Sequence, residues 1–301
     1  MKKEFYFESK DGITQIHAIE WIPEGEVKAI LQICHGMVEH IERYHDFAEF
    51  LSQNGVYVVG HSHLGHGKSV TGEEKLGFFA EDGNISVIAD IHKLRILTTE
   101  KYSATPYFML GHSMGSFLLR QYLGLYSQGL SGAIVMGTGE QPTQVLVAGR
   151  TVCKMIAAIK GWDYRSKFVN SLAVGAYEKK LGDAWLSKNP ENVEKYNADP
   201  LCGFVFTLNA YYHMFGGMLK MNQYEKQSLA VTDLPLLFVA GKEDPVGNYG
   251  KGVESVYHKY KNAGYKDAEM KLYDDDRHEI LNEEDRDVVY QDILRWIENR
   301  K

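Results

Sequence analysis

Two stretches of the 301-residue chain share the tripeptide Gly-His-Ser: GHSMGS at residues 111–116 and GHSHLGHGKS at residues 60–69. The first fits G-x-S-x-G with Ser113 at its centre, between an apolar strand pattern (YFMLGHS, 107–113) and a helical one (Phe117, Leu118, Tyr122, Leu125). That context suits a nucleophile. A sharp strand-to-helix turn pushes the serine hydroxyl out above the sheet, and Gly111 and Gly115 leave room where side chains would strike neighbouring backbone. The helix that begins after Ser113 also points N–H groups and a positive dipole end at the reacting centre.

A serine hydroxyl needs a positioned base. In a strand-elbow-helix arrangement the acid and base follow the serine in chain order, on turns after later strands. GKEDPV (241–246) and RHE (277–279) stand at such turns and nominate Asp244 and His278. Glu243 and Glu140 compete for the acid role; Pro245, which fixes the turn after Asp244, favours Asp244. The run Asp274, Asp275, Asp276, Glu279, Glu283 and Glu284 around His278 reads as an exposed loop and helix start. CHGM (34–37) ends the first long apolar strand, where a loop can supply one oxyanion donor, the other being the N–H after the nucleophile. These donors are the N–H groups of Met37 and Met114.

The second stretch offers a different chemistry. His61, His63 and His66 stand at H-x-H-x-x-H, close to the zinc run of metallo-β-lactamase-type hydrolases, with His35 or His40 as further ligands. Gly65 stands where that run usually has Asp. Ser62 fails the nucleophile pattern because Leu64, not glycine, follows two positions later.

The elements that must position these residues alternate between strand and helix. FYFESKDG and TQIHAIEWIP form a hairpin turning at Asp11-Gly12, and AILQICHG (29–36), GVYVVGH (55–61) and GAIVMGTG (132–139) read as buried parallel strands. A helix through Phe47, Phe50 and Leu51 follows the first of these. In ISVIADIHKLRILTTE the residues Ile88, Ile91, Leu94 and Ile96 are expected to share an inner face. From Gln141 to Val231 the strand rhythm gives way to helical segments. It resumes with LPLLFVAGKEDP, a helix with Val253, Val256, Tyr257 and Tyr260, a strand at AEMKLYDDD, and a helix through Val289, Ile293 and Ile297. The expected class is α/β: a mostly parallel sheet flanked by helices, its core at 1–139 and 233–301, with a helical insertion at 140–232.

Composition is that of a globular chain: 44% hydrophobic, 24% charged, net charge −7. The negative charge argues against nucleic acid as a partner. No signal-like N-terminus or 18-residue apolar run is present, and Cys34, Cys153 and Cys202 read as reduced, buried thiols, so a cytoplasmic setting is expected. No cofactor or metal is expected for the serine chemistry, and nothing fixes the oligomeric state.

HGMVEHIERY (35–44), GHGKS, GHSMGS, GKEDPVG and RHEILNE, in that order, resemble the α/β-hydrolase superfamily, and within it the monoacylglycerol lipases and lysophospholipases. The resemblance covers almost the whole chain. It implies a Ser113-Asp244-His278 triad, Met37 and Met114 as oxyanion donors, a cap at 140–232, and a monoacyl lipid ester as the small-molecule substrate. The aromatic and methionine run Phe204, Phe206, Tyr211, Tyr212, Met214, Phe215, Met218 and Met221 either lines an acyl pocket or forms core. VLVAGRTVCKMIAAI is either an amphipathic helix in transient contact with a membrane surface or a packed cap helix. Relatives commonly carry Asp where this chain has Ser62, which implies a change in local anchoring. The alternatives are a short-chain esterase, a thioesterase, a proline-type aminopeptidase using cap carboxylates such as Glu178, Glu191 or Glu194, the zinc hydrolase, and a binding protein that has lost catalysis.

Overall fold

The computed structural model describes residues 1–227 and 231–301, apart from the side chains of Ala176 and Glu178. Strands β1 (Lys2–Glu8) and β2 (Gln15–Trp21) form the expected antiparallel hairpin, with Lys2 opposite Trp21. Its turn is held by Asp11, whose Oδ1 accepts the Ile13 and Thr14 N–H groups, and by Gly12 at φ 76°. The remaining strands are β3 (Ala29–Cys34), β4 (Val56–His61), β5 (Tyr107–His112), β6 (Gly132–Met136), β7 (Leu236–Gly241) and β8 (Ala268–Tyr273). They complete an eight-stranded sheet in the order β1-β2-β4-β3-β5-β6-β7-β8. β2 pairs antiparallel with β4, and every later pairing is parallel.

The central strands are apolar throughout because each face is covered. In β3, Ile30 and Cys34 join one core cluster while Ala29, Leu31 and Ile33 join the other. Tyr107 and Met109 alternate with Phe108 and Leu110 in the same way along β5, as a two-residue strand period requires. Helices α1 (His45–Gln53) and, at the C-terminus, Arg286–Glu298 cover one face. Helix α2 (Asn84–Lys101), helix α3 (Met114–Tyr126) and the helix Lys251–Asn262 cover the other. One expected inner position is wrong: Ile96 is exposed. Ile96 lies about 140° around the helix from Ile91 at 100° per residue, and Thr98 takes the inner position instead.

Between β6 and β7 the described residues contain helices and no strand. In order these are α4 (Thr143–Lys160), α5 (Lys167–Ala173), α6 (Gly175–Leu181), a 3₁₀ turn at Gly182–Trp185, α7 (Pro190–Ala198) and α8 (Leu208–Gln227). Helix α8 is tied to the sheet layer by a buried ion pair. Arg120 of α3 donates to both Glu225 oxygens (2.8 and 3.2 Å) and to the Gly139 carbonyl, and Tyr260 also donates to Glu225.

Candidate active site

Ser113 occupies the elbow between β5 and α3 with φ 54°, a left-handed backbone that a non-glycine residue adopts only under constraint. The constraint is visible around it. Its N–H donates to the Met136 carbonyl (3.0 Å), and a β-carbon at Gly115 would collide with the Cys34 carbonyl at the end of β3. Gly111 is equally enclosed by the Gly115 backbone. Helix α3 therefore starts hard against two strand ends, and the serine is displaced outward into a cavity.

His278 follows β8 and lines the same cavity. Its Nδ1–H donates to Asp244 Oδ2 at 3.0 Å, which leaves Nε2 as the basic nitrogen. Asp244 is fully buried, and its other oxygen accepts the Val246 N–H (2.8 Å), so the turn carrying Pro245 aims the carboxylate. The competing acids face elsewhere. Glu243 pairs with Lys188 (2.7 Å), and Glu140 accepts from Ser255 (2.9 Å) and Lys259. Among the described residues the Ser113 hydroxyl makes no hydrogen bond to His278, a looseness common in substrate-free sites.

The loop after β3 is held by a carboxylate. Glu39 Oε1 accepts the Gly36 N–H (2.5 Å) and the Tyr44 hydroxyl (2.9 Å), and Oε2 accepts from Arg43 (2.9 Å). Gly36 N–H is thus occupied, while the N–H groups of Met37 and Met114 take no part in the hydrogen bonds of the described residues. Val38, β-branched, sits at φ 52°, so this loop stores strain as the elbow does. Arg43 continues as a fork onto both oxygens of Glu279 (2.5 and 2.8 Å), the residue after His278. His112, just before Ser113, completes the circuit. Its Nε2 donates to the His278 carbonyl (3.1 Å), and its Nδ1 faces Tyr44 (3.0 Å) and Glu39 (3.4 Å). Burial opposes the charged form of Glu39, yet His112 and Arg43 hold its carboxyl far below the usual range. Burial likewise opposes an imidazolium at His112, but the Glu39 hydrogen bond raises it. Burial opposes ionised Glu279 too, and Arg43 lowers it. Two carboxylates, one guanidinium and one imidazole whose protonated form is favoured therefore meet in a buried network joining the loop after β3, the elbow and the loop that carries His278. Sequence reasoning missed Glu39, Arg43, Tyr44, His112 and Glu279; the i,i+4 spacing of Glu39 and Arg43 and the place of Glu279 beside His278 were the available signals.

The acidic run around His278 also departs from expectation. Asp274 and Asp275 are exposed, but Asp276, His278, Glu279 and Glu283 are buried. Glu283 explains why: it accepts from the Ser187 hydroxyl (2.7 Å) and from the N–H groups of Lys188, Asn189 and Arg277. A carboxylate filled by four donors belongs inside.

His61, His63 and His66 do not assemble a metal site. His63 Nδ1 faces His61 Nε2 at 3.3 Å, while His66 packs among the rings of Phe79, Phe204 and Phe206. With His35, whose Nε2 accepts the His63 N–H (2.8 Å), they form a buried layer behind the oxyanion loop. Gly65 and Gly67, at φ 79° and 50°, turn the chain there, and Ser62 Oγ accepts a long bond from Ile41 N–H (3.5 Å). Burial lowers all four histidines, His61 to about 3 and His66 to about 4, with His35 and His63 well below 6.5. The folded state keeps them neutral, whereas unfolded histidines take up protons below about pH 6.5. Their contribution is intact above that pH and is lost as pH falls, each by up to about 1.4 kcal/mol per pH unit. His112, raised, works in the opposite sense but is one group against four. Denaturant midpoints are expected to fall steeply from pH 7 to pH 5, and a flat profile would exclude this account.

The cavity measures about 590 Å³, within the range of small-molecule sites. Its polar end holds Ser113, His278, Met37 and Met114. Its walls are apolar and come largely from the helical segment: Leu146, Val152 and Val169, with Phe204, Met214, Phe215 and Met218. The aromatic and methionine run thus divides, since Phe206, Tyr211 and Met221 are core. Glu191 and Glu194 are exposed and outside the cavity, and the Glu178 side chain lies outside the described residues. Cys34, Cys153 and Cys202 are free and buried. Among the described residues, no helix is long and apolar enough to cross a membrane.

A family model described as serine aminopeptidase, S33 matches residues 25–285. The monoacylglycerol lipase of Mycolicibacterium smegmatis is 25% identical over 299 residues, 98% of this chain and 97% of its own. The monoglyceride lipase of Rattus norvegicus is 26% identical over 303 residues, 93% of this chain and 86% of its own. Among solved structures, a thermostable carboxyl esterase from Bacillus coagulans in complex with glycerol matches with a TM-score of 0.92 at 28% identity, covering 99% of this chain and 98% of that one. A mostly parallel eight-stranded sheet, a strained serine elbow and a family match across most of its length lead to one assignment: the chain belongs to the serine aminopeptidase, S33 family, as a monoacylglycerol lipase-like α/β-hydrolase.

Proposed function

We propose that the protein is a serine carboxylester hydrolase that cleaves monoacyl lipid esters, monoacylglycerols or lysophospholipids, through an acyl-enzyme. The observation that carries this reading is the apolar cavity of about 590 Å³ that ends at Ser113 and His278. The acyl chain lies along the walls supplied by α4, α5 and α8, and the ester carbonyl sits over Ser113. Ser113 Oγ attacks that carbon as His278 Nε2 takes its proton, and Asp244 stabilises the imidazolium. The N–H groups of Met37 and Met114 donate to the developing oxyanion. His278 then returns the proton to the leaving alkoxide, and water, activated by the same nitrogen, releases the fatty acid.

Residues 140–232 act as a cap over this cavity. The outer side of α4 and α5, with Met155, Ile159 and Phe168 exposed beside Lys154, Lys160 and Lys167, suits transient contact with a lipid surface. The family description raises an aminopeptidase reading, which needs a free carboxylate for the substrate amine. Among the described residues of the cavity, Glu39 and Glu279 are engaged by Arg43, which leaves Asp183, an acceptor for Asn197 (3.0 Å).

A rate series tests the proposal: glycerol esters from acetyl to oleoyl, lysophosphatidyl esters, and a prolyl arylamide. We expect kcat/KM to rise with chain length, faster turnover of aggregated than monomeric ester, and no arylamide cleavage. A steady preference for acetyl would overturn the lipid assignment, and arylamide cleavage would favour the peptidase.

A further inference from the structure

We propose that His40, Asp199 and Cys202 form a binding site for a divalent zinc-like cation, clamping the segment between α7 and α8 onto the oxyanion loop. The inference is independent of the ester-hydrolase reading. His40 Nε2, Asp199 Oδ2 and Cys202 Sγ all lie within 4.8 Å of one another, and the two flanking residues, His40 and Cys202, are buried. Nitrogen, carboxylate oxygen and thiolate sulfur are the donors that zinc prefers in tetrahedral sites, where ligand atoms stand about 3.3–3.6 Å apart. His40 Nε2 and Asp199 Oδ2 are now 2.8 Å apart, hydrogen-bonded to each other, so the pair has to open by only about 0.5 Å. Asp199 Oδ1 already accepts the Leu201 N–H (2.8 Å), which turns Oδ2 toward the cluster.

Cys202 is the second, separate observation. Its thiol belongs to a residue 8% exposed and makes no hydrogen bond among the described residues. The step balances: the Cys202 S–H bond breaks and its proton leaves to solvent, the proton that His40 Nε2 shares with Asp199 moves to Nδ1 so that Nε2 can ligate, and thiolate plus Asp199 carboxylate neutralise the divalent charge. Water takes the fourth position. The other cluster of potential ligands, Glu4, His17 and Glu42, is already bridged by Lys68 (3.1 Å to Glu4, 2.9 Å to Glu42) and needs no ion.

The position gives the cation a consequence. Gly203, next to Cys202, donates its N–H to the Val38 carbonyl (2.9 Å), and Tyr196 donates to the same oxygen (3.3 Å). Val38 follows the oxyanion residue Met37, and Gly203 and Phe204 line the cavity. A bound cation would add a third tie at this seam.

Calorimetric titration of chelator-treated protein with zinc chloride, and with cobalt(II) chloride as a spectroscopic probe, tests the site. We expect one saturable site with Kd below about 1 μM and release of about one proton, read from buffers of different ionisation enthalpy. Cobalt is expected to give a thiolate charge-transfer absorption and a tetrahedral visible spectrum. Cys202→Ser and Asp199→Asn, checked for native circular dichroism, are expected to bind zinc about 100-fold more weakly or worse. Undiminished zinc binding by folded Cys202→Ser overturns the proposal. Should that variant fail to fold, the wild-type cobalt spectrum decides alone, and absence of a sulfur charge-transfer band overturns the proposal.

Discussion

Replacing Ser113 with alanine is expected to lower kcat on any ester substrate by about 10⁵- to 10⁶-fold, with little change in thermal midpoint. The hydroxyl makes no hydrogen bond to His278 in the described structure, so its loss strands no buried partner. The φ of 54° is imposed by the Met136 hydrogen bond and the packing of Gly111 and Gly115, none of which the substitution touches. Covalent labelling by a fluorophosphonate, mapped by mass spectrometry, should fall on Ser113 in the wild type and vanish in the variant. Labelling that persists at another serine, or activity within tenfold of wild type, would remove Ser113 from the role of nucleophile.

Arg43→Met is expected to act on folding and catalysis together. Arg43 is the shared cation of Glu39 and Glu279, and its removal leaves both buried carboxylates without it. Breaking a buried pair from one side costs about 3–5 kcal/mol, a large part of the roughly 5–15 kcal/mol that holds a domain folded. The sign with pH follows from the lowered carboxylates: their stabilisation is present above their unfolded pKa near 4.5 and lost as pH falls through the lower folded values. Without Arg43 those folded values rise, so the variant is less stable at neutral pH but should lose less further stability than the wild type as pH falls below about 4.5. Because Glu39 holds Gly36 and Glu279 adjoins His278, kcat should fall more than KM changes. Arg43→Lys should restore little, since a single ammonium cannot bond both oxygens of Glu279 and also reach Glu39. Denaturant unfolding together with steady-state kinetics checks both expectations. A variant with wild-type stability would show that the network is not the support described.

What was legible in the sequence follows from how local each signal is. Strand positions could be read because period-2 burial between two covered faces demands runs such as AILQIC and LLFVAG. The elbow was legible because Gly111, Ser113 and Gly115 carry their geometry within five residues. The His278–Asp244 contact joins residues 34 positions apart, and chain order after a strand was enough to nominate both. The network was hidden for a physical reason: whether Glu279 is a solvated surface charge or half of a buried fork depends on Arg43, 236 positions away. The same holds for Glu283, three of whose four donors come from one remote segment, residues 187–189, and the fourth from nearby Arg277. The histidine run is the opposite case, and Gly65 in place of the usual Asp already counted against a ligand set. Its spacing imitates a ligand set, but the turn at Gly65 and Gly67 points the rings in different directions.

The fastenings around the cavity are unequal, and this sets where its wall can yield. On the α7 side, Glu283 gathers Ser187, Lys188 and Asn189, Asn192 donates to Glu279 (2.7 Å), and the Leu186 carbonyl accepts the Glu279 N–H (2.8 Å). Lifting that side would strand a buried carboxylate and several peptide groups. Helix α4 buries only Leu146, Cys153 and Ala157, and its one side-chain hydrogen bond to a carbonyl, Thr151 to Val147, stays within the helix. Apolar surfaces can slide without leaving a polar group unmet. On the lipid-ester reading proposed above, the apolar wall that α4 supplies is the one that can shift against its neighbours without stranding a polar group.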